Sequence, residues 1–147
     1  MTPVRRCLVA AAALPVLAGC GGTDPGPTPA QAGETLRSHI NQLMKDTGLP
    51  NVAVTDPGGR DLDCGENGTK RTYGVRSTFR GEDAGLIDEM TGRLTQRWGY
   101  KVDAVFAPES YRTVLKLVPS RTTVTLDMPT KHEITVAGET DCVQSQP

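Results

Sequence analysis

The sequence predicts an α+β domain: two helices packed on one face of a mostly antiparallel sheet, a two-layer sandwich tied by one disulfide. Three observations carry that expectation. Segments 34–47 and 81–98 place apolar residues at helical spacing, and the C-terminal third alternates apolar and polar residues over short runs. Cys64 and Cys142 flank most of the strand-rich part, where a bond between them would tie its two ends.

At the N-terminus, Arg5 and Arg6 precede an apolar run, Leu8–Ala18, that is too short for the roughly 20 residues a membrane-spanning helix needs. A basic start, a short apolar stretch and small residues before a cleavage point make a signal segment. The run ends in Leu17-Ala18-Gly19-Cys20, which resembles the lipobox of bacterial lipoproteins. The resemblance implies cleavage between Gly19 and Cys20, a diacylglyceryl group on the Cys20 thiol, and a new amine open to acylation. Two buried chains anchor a protein stably where one binds marginally. The alternative is an ordinary secretory signal cut elsewhere, with Cys20 incidental. The expected division is a signal peptide 1–19, a lipid-anchored tether 20–32, an α+β domain 33–143 and a frayed tail 144–147, held at the extracytoplasmic face of the cell membrane.

Gly21–Ala32 reads GGTDPGPTPAQA and lacks apolar periodicity, so it is expected to be a flexible tether that lets the domain stand off the membrane. The first helix is expected over Glu34–Thr47, with Leu36, Ile40, Leu43 and Met44 on one face and Gly48 and Pro50 as stops. His39 flanks that stripe, either as a structural or solvated side chain or as a ligand. After Asn51–Thr55 the chain turns through DPGGRDLDCGENGTK, a long loop or loose hairpin. Asp56, Asp61 and Asp63 lack the spacing of a calcium loop and read as solvated. A strand follows over Arg71–Phe79, with Tyr73, Val75 and Phe79 facing the core.

The second helix is expected over Gly81–Trp98, with Ile87, Met90 and Leu94 as its stripe and Gly99 as its stop. Trp98 and Tyr100 read as core closure or as an exposed partner site. Strands are expected over Val102–Phe106, Thr113–Val118, Thr122–Met128 and Glu133–Val136, joined by short connections. Val124, Leu126, Ile134 and Val136 oppose a Thr-rich, charged face, which predicts helices on one side of the sheet and water on the other.

Composition narrows function by exclusion. Loss of Arg5 and Arg6 with the signal takes 16 basic residues to 14 against 17 acidic ones, the wrong balance for a nucleic-acid binder. Cys7 leaves with the signal and Cys20 is claimed by lipid, so Cys64 and Cys142 remain as a disulfide pair in an oxidising compartment, or as two free thiols. Neither His39 nor His132 has a second His or Cys at metal-ligand spacing, and no nucleophile, phosphate-loop or dinucleotide motif occurs. No enzymatic activity and no cofactor are therefore expected.

The lipobox, the tether, the early Cys64, the helix GEDAGLIDEMTGRLTQRWGY and the ending Ile134-Thr135-Val136-Ala137-Gly138-Glu139-Thr140-Asp141-Cys142 resemble the LppA-like small lipoproteins of high-GC Gram-positive bacteria. That resemblance implies a surface lipoprotein with no family active site to transfer. The expected role is a non-enzymatic binding or accessory module of the cell envelope. Its candidate surface is the basic stripe Arg76, Arg80 and Lys116, near Thr125, facing an envelope protein, glycan or anionic polymer; the same stripe also serves plain solubility. The alternative is a small carrier of a hydrophobic ligand near Met44, Met90 and Trp98, residues that equally suit a core. An envelope enzyme of unknown class ranks below both.

Overall fold

A computed structural model of the chain describes residues 26–80, 85–106 and 111–144. The expected signal peptide, with Gly19 and Cys20 at its expected cleavage point, lies outside the described residues. Helix α1 spans Pro29–Thr47 and so begins before the expected Glu34. Thr28 is its N-cap: the Thr28 side chain accepts from the Gln31 N–H at 3.3 Å, and the Gln31 side chain accepts from the Thr28 N–H at 3.0 Å. This reciprocal capping box satisfies two otherwise orphaned donors, and Pro29 is preset for the first helical position. Pro, Gly and Thr content made residues 29–32 look like tether; they are the first turn of α1, with Ala32 buried. Gly48, at φ 64°, ends the helix by donating to the Lys45 carbonyl.

Strands β1 (Ala53–Asp56), β2 (Leu62–Cys64), β3 (Gly68–Lys70) and β4 (Thr72–Thr78) precede helix α2 (Leu86–Trp98). After it come β5 (Lys101–Phe106), β6 (Tyr111–Leu117), a 3-10 turn (Val118–Ser120), β7 (Thr122–Thr130), β8 (Glu133–Thr140) and β9 (Val143–Gln144). One antiparallel sheet has the order β1-β4-β8-β7-β6-β5, and a smaller one the order β2-β3-β9. The segment after β1, expected as a long loop or loose hairpin, contains a short hairpin turned through Gly65 and Asn67 in the left-handed region. Gln144, assigned to a frayed tail, pairs with Gly68 instead; a two-residue strand gives no periodicity to read. Residues 145–147 lie outside the described residues.

The expected start of α2 falls on residues 81–84, also outside them. From Leu86 its buried stripe is Leu86, Met90 and Leu94, while Ile87 is only partly buried. Gly99, at φ 79°, closes the helix as expected.

Both helices cover one face of the large sheet: α1 lies on β4, β8 and β7, and α2 on β5, β6 and β7. Alternation along each strand sends Tyr73, Val75, Leu115, Val124, Leu126, Ile134 and Val136 into that layer, against Leu36, Ile40, Leu43 and Met90. Gly138 permits the closest approach of α1, since a Cβ there would sit 2.5 Å from Leu36 Cδ1 and 3.1 Å from Ile40 Cδ1. Cys64 and Cys142 form the disulfide, with Cα atoms 5.8 Å apart, and it fastens the β2–β3 hairpin to the chain leaving β8.

Candidate functional site

Among the described residues the opposite face of the large sheet carries no helix, and a depression of about 430 Å³ lies across β1, β4, β8 and β7 on it. Small side chains make its floor. Gly74, Ala137 and Thr125 follow one another across β4, β8 and β7, with Thr123 beside them. A register shift between Val54 and Asp56 lets β1 bring Thr55 and Asp56 up as a wall. A Cβ at Gly74 would lie 2.9 Å from Thr55 Oγ1, so any larger residue there would make the Thr55 side chain turn away. Thr72 and Glu139 line the depression from β4 and β8.

Its polar groups are held in place. Asp56 accepts from the Thr72 hydroxyl and from the Gly58 N–H, the latter at 2.9 Å. These two bonds, the Thr72 hydroxyl first, hold its carboxyl below the usual range against the opposing effect of burial, with Arg60 assisting. Glu139 is paired with Lys70 at 2.7 Å. The depression therefore offers threonine hydroxyls and carboxylate acceptors. That is a surface suited to a ligand rich in hydroxyl or N–H donors and poorly suited to a polyanion.

The structure separates the basic residues singled out in the sequence. Arg76 and Lys116 do share the water-facing side of the sheet, but Arg76 aligns through Thr135 with Asp127, whereas Lys116 aligns with Thr123. Three strand spacings and four residues of rise put them about 14 Å apart across the strands and about 13 Å along them. Lys116 is also engaged by Asp141 at 3.2 Å. Arg80 is exposed just beyond β4, next to the undescribed residues 81–84. Spacing along each strand gave the face correctly; the strand order, with β8 and β7 interposed, disperses the stripe.

A second polar feature runs through the core. The Tyr100 side chain is fully buried, and its hydroxyl lies 3.2 Å from His39 Nδ1 and 2.9 Å from Thr122 Oγ1, which is in turn 2.7 Å from Ser120 Oγ. Burial pushes the Tyr100 phenol up, against the Thr122 hydrogen bond. The His39 ring stacks on Trp98 at 4.6 Å, and burial, followed by the Arg97 guanidinium, holds His39 below the usual imidazole range. Tyr100 and Thr122 stand between His39 and Ser120 in this chain of contacts, so the hydroxyl that the imidazole touches is that of Tyr100 and not that of Ser120. These contacts satisfy the polar groups that Tyr100 and Thr122 bring into an apolar layer.

Met44 and Met90 are packed in the core, and Trp98 lies partly buried against it. Asp56 and Asp61 point to different partners, Thr72 and Arg71, and among the described residues no group of three His, Cys, Asp or Glu converges. No described helix is long and apolar enough to cross a membrane.

Fold and site together define a disulfide-tied two-layer α+β domain whose sheet has one face left open by the described residues. No family model matches the chain, and no curated protein matches it. The structure is similar to the crystal structure of a DUF4853 family protein from Actinomyces odontolyticus, with a TM-score of 0.56 and 11% identity, over 81% of this chain and 68% of that one. At that identity the likeness bears on the fold alone.

Proposed function

We propose that the chain is an extracytoplasmic lipoprotein of the LppA-like kind, anchored through acylated Cys20, whose domain binds a hydroxyl-rich envelope glycan across its open sheet face. The lipobox supports the anchor. The observation that carries the binding role is the small-residue floor of Gly74, Thr123, Thr125 and Ala137 beneath the wall of Thr55 and Asp56. A water-facing sheet needs no such depression for stability. Within the range of envelope ligands expected from the sequence, the carboxylates Asp56 and Glu139 favour a neutral glycan over an anionic polymer.

The test is an amide NMR titration of the non-acylated Cys20→Ser protein with neutral N-acetylglucosamine oligosaccharides. Saturating shifts centred on Gly74, Thr123, Thr125 and Ala137, lost in a stably folded Thr125→Trp variant that fills the floor, are expected. Shifts confined to the β5 edge, or none at all, would overturn the reading.

A further inference from the structure

The chain enters the domain at a defined corner. Gly26 and Pro27 lie along Arg121: the Arg121 guanidinium reaches the Pro27 carbonyl at 3.5 Å, and a Cβ on Gly26 would sit 3.0 Å from it. Arg121 is held from the other side, where its carbonyl accepts from the Asp141 N–H at 2.8 Å. The tight turn that presents Arg121 also carries Val118, which is 71% exposed, and the exposed Pro119. Lys101 and Lys116 pair across β5 and β6 at the same end of the sheet. Asp141, the carboxylate at this corner, is engaged by Lys116.

Chain length then limits where this corner can be. Six Cα-to-Cα steps separate Cys20 from Gly26, and a fully extended chain covers about 20 Å over them. A domain of this size has a radius of gyration of roughly 13 Å, so it is wider than its own leash. The far turn at Lys131 and His132 lies a whole strand away, since β7 alone rises about 27 Å between Thr122 and Thr130. An anchor at Cys20 therefore ties the domain by the Val118–Arg121 corner, at most about 20 Å from the lipidated residue, with the β7–β8 turn at the other end of the sheet.

We propose that this turn is the membrane-facing corner of the domain. Val118 and Pro119 sit among the headgroups of the bilayer that holds Cys20, with the Lys101 ammonium directed at lipid phosphate. The inference rests on the reading that Cys20 is acylated, and it adds an orientation to it. A headgroup layer about 5–8 Å deep accommodates one turn with an apolar side chain at its tip. The open sheet face then stands on the flank of the domain, reachable by glycan strands running over the membrane.

Fluorescent thiol labels placed through Val118→Cys or Thr130→Cys in the full lipidated protein test the orientation, because the other cysteines are occupied by lipid and disulfide. The protein is reconstituted into vesicles of phosphatidylethanolamine and phosphatidylglycerol with a nitroxide on a fraction of the headgroups. Flotation with the vesicles is read first. Protein that fails to float, like a Cys20→Ser control, removes the anchor and this inference together. If the protein floats, several-fold stronger quenching at position 118 than at position 130 is expected. Equal quenching at the two positions in floating protein overturns the orientation while leaving the anchor standing.

Discussion

Gly138→Ala puts the contact between α1 and the sheet to a quantitative test. The added Cβ would lie 2.5 Å from Leu36 Cδ1, 3.0 Å from the Thr123 carbonyl oxygen and 3.1 Å from Ile40 Cδ1. Leu36 and Ile40 are both fully buried, so neither side chain has open space to move into, and the carbonyl belongs to the adjacent strand. Either α1 lifts from β8 or two core side chains leave their rotamers, which costs about 1–3 kcal/mol for overpacking of this size. At about 4–8 °C per kcal/mol, the melting temperature should fall by roughly 5–20 °C. Gly92→Ala is the control of opposite sign. It sits inside α2 with its nearest new neighbour 3.9 Å away, so relief of the glycine penalty should stabilise by about 0.5–1 kcal/mol. Both are measured by thermal and urea unfolding of the disulfide-intact Cys20→Ser protein. A Gly138→Ala variant as stable as the parent would refute the close approach, whatever Gly92→Ala does.

Three further outcomes are expected. Replacing Cys64 and Cys142 together by Ala should cost about 4.5 kcal/mol, the chain-entropy value for a loop closed over 78 residues, read as a lower urea midpoint. Tyr100→Phe should cost about 1–3 kcal/mol, because it strips His39 and the buried Thr122 hydroxyl of a shared partner while leaving the ring in place; urea midpoints check it. His39 has a folded-state pKa below its unfolded value, so the unfolded chain takes up the proton first as pH falls. Its contribution is therefore fully present above the unfolded pKa and declines through the window beneath it. Urea midpoints measured on either side of about pH 6.5 should differ more in the parent than in His39→Gln, and an equal difference would remove the assignment.

The helices and strands were legible wherever side-chain periodicity was long enough to show one face. Leu36, Ile40, Leu43 and Met44 announce α1, and Val124, Leu126, Ile134 and Val136 announce the inner side of the sheet. Two boundaries were misjudged for local reasons. Thr28 and Gln31 form a capping box, yet they sit among Pro and Gly residues whose composition signals a tether. Gln144 lies in a strand too short to alternate. The depression was illegible because its floor joins Gly74 to Ala137 and Thr125, positions far apart along the chain that meet only through strand pairing. His39 and Tyr100, separated by 61 positions, gave no sign of their contact.

The sequence by itself determined the two-layer class and which side of each strand is apolar, and it pointed to the Cys64–Cys142 bond. These depend on local features: cysteine count, and periods of two and of 3.6 residues set by backbone geometry. Only the tertiary structure decided that β8 lies between β4 and β7, that Arg76 and Lys116 are held apart, that small side chains collect beneath Asp56, and that the chain enters beside Arg121. Each of these is a relation between segments distant in the chain. Strand order settles them by deciding which apolar faces share one core, and alternation within a single strand is the same for every such order.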